Sequence, residues 1–318
     1  MAQVSETAGS QIEKITTRDK MNDLWYRVKK NRNMYLFLLP FMTIFLTFII
    51  APIFASLYLS FTYFNVLETP QWIGWTNYTL LFLEDDIFLT SIKNTLVFAI
   101  IVGPGGFIIA WVLAWLINQL KYRVGYTLVF YAPSLTSGLA ISIIWRIFFA
   151  GDYYGYLNYA LLRLGVLDEP VIWLRNVDTM LPVVILVSLW MSMGANFLVF
   201  LAGLQNIDPE LYEAGKVDGI KFRWQEAWYI TLPMMKPQLL FGAVIQTVRA
   251  LEVSDVAIAL TGLPSPLYAT HTVLTHLMDH AFIRFEMGYA SAVSVFLFLL
   301  MFSLSRMFMR LFSSKGEQ

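Results

Sequence analysis

The sequence predicts an all-α polytopic membrane protein: six transmembrane helices, both termini cytoplasmic, and a short cytoplasmic helix between spans four and five. Three observations carry that prediction. The first is composition. Of 318 residues, 58% are hydrophobic and only 14% charged, with mean hydropathy +0.60. A soluble domain carries about 25% charged residues, so the membrane class leads. The second is the recurrence of apolar runs of roughly 20 residues, the length a helix needs to cross the hydrocarbon core. The third is an alternation of Lys and Arg between the intervening loops.

The spans fall at about 34–62, 94–118, 126–150, 180–203, 237–260 and 288–311. Pro40, Pro52, Pro104, Pro133 and Pro182 lie in or near them, which helices packed in a membrane tolerate. Residues 1–33 form a polar tail, 34–312 one six-span transmembrane domain with a charged loop at 204–236, and 313–318 a second tail. A cleavable signal peptide has a short basic start and a 7–15 residue apolar core. Here the basic part is long and the first apolar run far longer, so that run reads as an uncleaved span.

Lys and Arg set the orientation. The N-terminal tail, the loops after spans two and four, and the C-terminal tail hold sixteen of them; the other three loops hold only Lys93, Arg163, Arg175 and Arg284. The richer side is cytoplasmic. The outer loops instead carry Trp and Tyr, as in "TPQWIGWTNYTLLFLEDD" and "GDYYGYLNYALLRLG". These read as interfacial anchors rather than a ligand platform.

Several chemistries are missing. Net charge is zero, which argues against nucleic acid. Without cysteine there is no disulfide, thiolate metal site or Cys nucleophile. No G-x-x-x-x-G-K-[ST] phosphate loop occurs, and "GPGG" at 103–106 reads as a packing or kink site. No G-x-S-x-G surrounds the serines of "PSLTSGLAIS". His271, His276 and His280 sit with Asp279 in the last outer loop. His276 and His280 are i, i+4, but no His-Glu-x-x-His is formed, and the group reads as polar surface; no metal site is expected.

The fifth span carries Arg249, Glu252 and Asp255 at i, i+3, i+6. On one continuous helix they lie within about 60° of each other. Intramembrane charges usually face a bundle interior or watery cavity. An Arg249–Glu252 ion pair that supports packing and a polar pathway lining are compatible readings. Gln246 lies one turn earlier. Trp190, Ser192 and Asn196 give the fourth span a smaller polar element, although Asn also serves as interhelical glue. A competing reading makes Glu252 and Asp255 the proton or ion relay of a secondary transporter.

The charged loop reads "DPELYEAGKVDGIKFRWQEAWYITLP". Asp208 fits an N-cap, Pro209 the first helical position and Glu210 the positive dipole end. Gly219 fits a C-terminal stop, and Lys221 to Tyr229 a second helix. Leu211, Ala214 and Val217 form an apolar strip. Such a helix is built either to dock in a groove on another protein or to lie on lipid.

This stretch resembles the signature loop of permease subunits from binding-protein-dependent ABC importers, E-A-A-x-x-D-G followed by I-x-L-P. Glu213, Ala214, Asp218, Gly219, Ile230, Leu232 and Pro233 match. Gly215 stands where the family usually has alanine, at a helix cost of up to about 1 kcal/mol. "LYLSFTYFN", "WIGWTNYTLLF", "LTG" at 260–262 and "HAFIRFEMGYASAVSV" resemble the carbohydrate-uptake branch. The glycine pair usual after "LT" is absent, since Leu263 follows Gly262.

The resemblance implies a non-catalytic subunit of the bacterial cytoplasmic (inner) membrane, working by alternating access. It implies a second, homologous permease sharing the pathway, two ATPase subunits that hold ATP and Mg, and an extracytoplasmic solute-binding protein. Tyr212, Glu213, Ala214, Gly215, Asp218 and Gly219 are then the ATPase-coupling residues, and no cofactor is bound by this chain. The carbohydrate site is expected in the middle of the spans flanking the loop, at Trp190, Ser192, Asn196, Gln246, Arg249 and Glu252. Arg249 would suit an acidic oligosaccharide.

Overall fold

A computed structural model of the chain describes residues 29–135, 138–192 and 194–312. Most of the predicted N-terminal tail, at 1–28 with Lys14, Arg18, Lys20 and Arg27, lies outside the described residues. So does the C-terminal tail at 313–318 with Lys315. The chain divides into two units, one ending at Ala55 and the other beginning at Ser56.

Helix α1 (Arg32–Phe45) passes through a π-turn at Leu46–Ile50 into α2 (Ala51–Leu59), within which the first unit ends. Pro40 sits inside α1 without ending it. Asn33–Leu59 is long and apolar enough to cross a membrane.

Among the described residues, the regular structure of the second unit is helical apart from one short hairpin, β1 (Thr62–Tyr63) paired antiparallel with β2 (Gln71–Trp72). A short helix α3 (Thr76–Thr79) leads to α4 (Asp86–Asn118), the longest helix and the axis of the unit. Asp85 caps α4 by accepting from the Phe88 N–H at 2.8 Å. At 33 residues, α4 is roughly 50 Å long. It continues unbroken through Pro104.

The third predicted span is two helices, α5 (Arg123–Leu135) and α6 (Gly138–Phe148); residues 136–137, between them, lie outside the described residues. The following loop holds α7 (Tyr156–Arg163). The buried Asn158 organises it, donating to the Ala150, Asp152 and Val171 carbonyls and accepting from Trp173 Nε1 at 2.8 Å.

The fourth span consists of α8 (Val177–Met191) and α9 (Ala195–Gln205). The charged loop follows as α10 (Pro209–Val217), α11 (Arg223–Glu226), a π-turn at Ala227–Thr231 and α12 (Leu232–Met234). The fifth span is not one helix. It is α13 (Lys236–Leu251) and α14 (Asp255–Thr261), with Glu252 and Ser254 out of helical geometry at φ −89°, ψ 16° and φ −143°, ψ −48°. The Val253 carbonyl freed by this break accepts from the Thr272 hydroxyl at 2.8 Å. Such external partners are what allow a broken helix at membrane depth. Gly262 ends α14 at φ +88°, so the turn after "LT" forms without a second glycine. Helix α15 (Val273–Met278), a π-turn at Asp279–Ile283 and α16 (Met287–Phe312) complete the chain.

Among the described residues, four helical stretches are long and apolar enough to span a membrane: Asn33–Leu59, Asp86–Asn118, Val177–Gln205 and Met287–Met307. Three cores line α4 in sequence. Leu81, Phe88, Val273, Tyr289 and Val293 pack at its N-terminal end. Phe98, Val102, Val184, Val187 and Ala257 pack at its middle. Trp111, Ala114, Phe197, Phe200 and Met235 pack at its C-terminal end, against the charged loop.

Candidate functional sites

The predicted helix in the charged loop forms, and its ends are those the sequence implies. The Asp208 carboxylate accepts from the Glu210 N–H at 3.0 Å, and Pro209 opens the helix. At the other end Gly219 takes φ +97°, a conformation open to glycine and costly for other residues. The Gly219 N–H donates to the Lys216 carbonyl at 3.2 Å and the Ile220 N–H to the Gly215 carbonyl at 2.9 Å. These two bonds make a Schellman stop.

Two faces result. Inward, Gly215 is buried, and a Cβ there would stand 2.7 Å from Ile230 Cδ1 and 3.1 Å from Ile220 Cδ1. The departure from alanine therefore sits where the helix lies closest to its two isoleucine neighbours. Tyr212 is half-buried, and its hydroxyl meets Thr231 Oγ1 at 3.0 Å. Outward, Leu211, Glu213, Ala214, Val217, Asp218 and Gly219 are exposed, Val217 by 89%. The second helix is shorter than the predicted 221–229. It begins at Arg223, where Gln225 Oε1 accepts from the Lys221 and Phe222 N–H groups, and turns π-helical at Ala227.

The mid-span residues separate into three groups. Ser192, Gln246, Arg249, Glu252 and Asp255 line a cavity of about 320 Å³ with Phe98, Val102, Ser188, Met191 and Ser254. Asn196 is buried beside it and donates to Gln246 Oε1 at 2.8 Å; Gln246 Nε2 in turn donates to the Val102 carbonyl at 3.1 Å. Asn196 thus orients Gln246 rather than lining the cavity. Trp190 does neither: it is half-exposed and packs edge-on against Trp145 at 5.4 Å. Gly106, in the "GPGG" run, makes room for this arrangement. A Cβ there would fall 2.4 Å from Gln246 Nε2 and 2.6 Å from Ser192 Oγ.

The expected Arg249–Glu252 ion pair is not formed among the described residues. The reason is the helix break. Glu252 is already the C-cap of α13, and Asp255 begins α14, so the i, i+3, i+6 face does not exist. All three side chains remain exposed.

The histidines depart from the sequence expectation as well. His271, His276 and His280 are 1%, 1% and 6% exposed, not polar surface. His276 Nε2 lies 3.2 Å from Asp85 Oδ2, and Tyr289 donates to the same oxygen at 2.6 Å. His280 Nδ1 lies 2.7 Å from Glu286 Oε2. Arg284 pairs with Asp279 at 2.9 Å. Burial raises the Asp85 carboxyl, but hydrogen bonds from His276, Tyr289 and the Phe88 N–H outweigh it and hold it well below the usual carboxylate range. Burial, with His276 nearby, pushes His271 down to about 4. The same two causes lower His280, against a smaller opposing pull from Glu286. Asn94 ties this segment to α4, donating to the Tyr268, Ala269 and His271 carbonyls.

Comparison with known proteins agrees with this architecture. No family model matches. A probable ABC transporter permease protein of Bacillus subtilis, YesP, is 36% identical over 269 residues, covering 84% of this chain and 85% of that one. The arabinooligosaccharides transport system permease protein AraP of the same organism is 32% identical and covers 93% of each chain.

The chain belongs to the ABC transporter permease family.

Two solved structures of a bacterial alginate ABC transporter share the permease's fold. One is described as importing the acidic polysaccharide alginate, the other as bound to an alginate pentasaccharide-bound periplasmic protein. Each superposes with a TM-score of 0.79 at 26% identity; coverage is 93% of the permease and 100% of that chain in the first, 90% and 96% in the second. The permease is thus a multi-pass membrane protein and a transport component.

Proposed function

We propose that this permease forms half of the translocation pathway of an ATP-driven importer of oligosaccharides, acidic ones included, in the bacterial inner membrane. The observation that carries the reading is the two-faced helix α10. Its inner face is locked to the bundle through Gly215, Tyr212 and Thr231, while a contiguous outer face of Leu211, Glu213, Ala214, Val217 and Asp218 has no partner within the described chain. A rigidly held helix with a free amphipathic face suits transmission of force from another protein.

In this reading α10 docks on one of two ATPase subunits, which hold ATP and Mg. Closure of the ATPase pair moves α10, and α9 and α13 follow because α10 is tied to both through the loop. Six spans with both termini cytoplasmic put α10 on the ATPase side. An extracytoplasmic solute-binding protein delivers the sugar on the other side, and a second permease completes the pathway. The cavity at Ser192, Gln246 and Arg249 receives the sugar. Gln246 supplies an oriented amide, and Arg249, unpaired with Glu252, supplies a cation for a carboxylated sugar. The alternative, an ion relay through Glu252 and Asp255, needs no ATPase; both carboxylates line the same cavity on either side of the helix break.

Two measurements test this. The purified permease should bring down an ATPase whose turnover a sugar-loaded binding protein stimulates; sugar transport by this chain alone in liposomes would sink the reading. Arg249→Ala should lower uptake of a uronate-containing oligosaccharide at least tenfold while sparing a neutral one. Equal loss for both removes the acidic specificity.

A further inference from the structure

We propose that Asp85, His276 and His280 form a binding site for a divalent transition-metal cation of the zinc class. Each residue offers a donor atom, and the three donors lie within 4.8 Å of one another. The residues come from separate places: Asp85 from the N-cap of α4, His276 from α15, and His280 from the π-turn after it. The i, i+4 spacing of the histidines brings their rings to 4.4 Å between centroids.

The donor set decides the class of ion. Two imidazoles and one carboxylate suit zinc and its neighbours, whereas calcium and magnesium take oxygen ligands. Three protein ligands with a fourth position open is a recurrent zinc arrangement. Tetrahedral zinc needs its donors roughly 3.3 Å apart, and His276 Nε2 and Asp85 Oδ2 are already at 3.2 Å.

The surroundings are those of a metal site. Glu286 accepts from His280 Nδ1 at 2.7 Å, which leaves His280 Nε2 with its lone pair free. A carboxylate on the far nitrogen of a ligating histidine is the usual orienting arrangement. Asp85 Oδ1 is held by the Phe88 N–H, which directs Oδ2 to the cluster. Access is open, because Asp85, His280 and Glu286 line a cavity of about 590 Å³. Glu84 and Asp86 also border it, against the single guanidinium of Arg284 among the described lining residues. That wall attracts cations. On binding, the proton between His276 Nε2 and Asp85 is released to solvent and the metal takes its place. The metal would pin the N-terminal end of α4 to the segment after α14, at the end of α4 remote from α10.

The test is zinc binding to the full-length permease, purified in detergent, stripped with chelator and titrated with zinc chloride. We expect stoichiometric zinc after gel filtration, unaffected by excess magnesium. His280→Gln should abolish it, and Glu286→Gln should weaken it roughly tenfold. Substoichiometric zinc, or binding unchanged in a His276→Gln/His280→Gln protein, overturns the site. Should those variants fail to fold, cobalt(II) added to the unaltered permease decides. Intense visible bands of a tetrahedral nitrogen–oxygen site support the proposal, and the spectrum of octahedral aqueous cobalt overturns it.

Discussion

The two ends of α4 are built on opposite plans. At the C-terminal end, α10 is made by local signals within a dozen residues: an Asp208 cap, a Pro209 start and a Gly219 stop. Its polar residues face outward, and one small residue, Gly215, lets it seat. At the N-terminal end, residues as far apart as the partly buried Asp85 and the buried Tyr289 are gathered, with their polar atoms turned toward one another. The first plan leaves a surface for another molecule. The second knits the chain to itself. Both ends are rich in polar residues, but those of α10 lie close together in sequence and those of the other end come from distant segments.

The largest break in that contrast is expected from Gly219→Pro. Proline cannot adopt φ +97° and removes the N–H that bonds the Lys216 carbonyl, a cost of about 3 kcal/mol or more. Uptake should fall to background while membrane insertion, checked by fractionation, persists. Next comes Asn94→Leu at the other end. It removes the amide that donates to three carbonyls of the last loop; the Tyr268 carbonyl keeps the His271 N–H, and each buried group left unsatisfied costs about 1–3 kcal/mol. The detergent melting temperature should drop clearly with the α10 surface untouched. Asp208→Ala removes one cap, at about 1 kcal/mol, and should show as a small melting shift with partial loss of uptake. The smallest stability effect is expected from Val217→Ser. Its side chain is 89% exposed, so melting should stay within about 0.5 kcal/mol while recovery of the ATPase subunit falls. A melting loss larger than that of Asn94→Leu would show that α10, too, is held mainly by the permease itself.

Much of the fold is legible in the sequence because hydrophobic length and cap chemistry are local. The runs at 94–118 and 288–311 need no neighbours to be recognised as helices. The caps of α10 are readable residue by residue. The fifth span misleads because no Pro or Gly marks the break at 252–254, whereas the break is supported by a hydroxyl from Thr272, nineteen residues on from Val253. Trp190 groups with Ser192 and Asn196 by proximity in sequence, yet its ring turns to Trp145. Gly106 carries a usable signal, since three glycines within four residues of an apolar helical run lower helix propensity and point to a packing reason. The "GPGG" pattern announces packing but not its partners, Gln246 and Ser192.

From the chain alone follow the membrane class, the helical character and the one loop whose motif names its family, because each depends on residues close in sequence. Which of those residues share a cavity, where helices break, and that His276 and His280 gather beside Asp85 while His271 is buried behind them are decided by packing. Those facts rest on contacts such as His276 with Asp85, 191 positions apart. The free energy of such contacts arises only when the intervening helices are already assembled around α4.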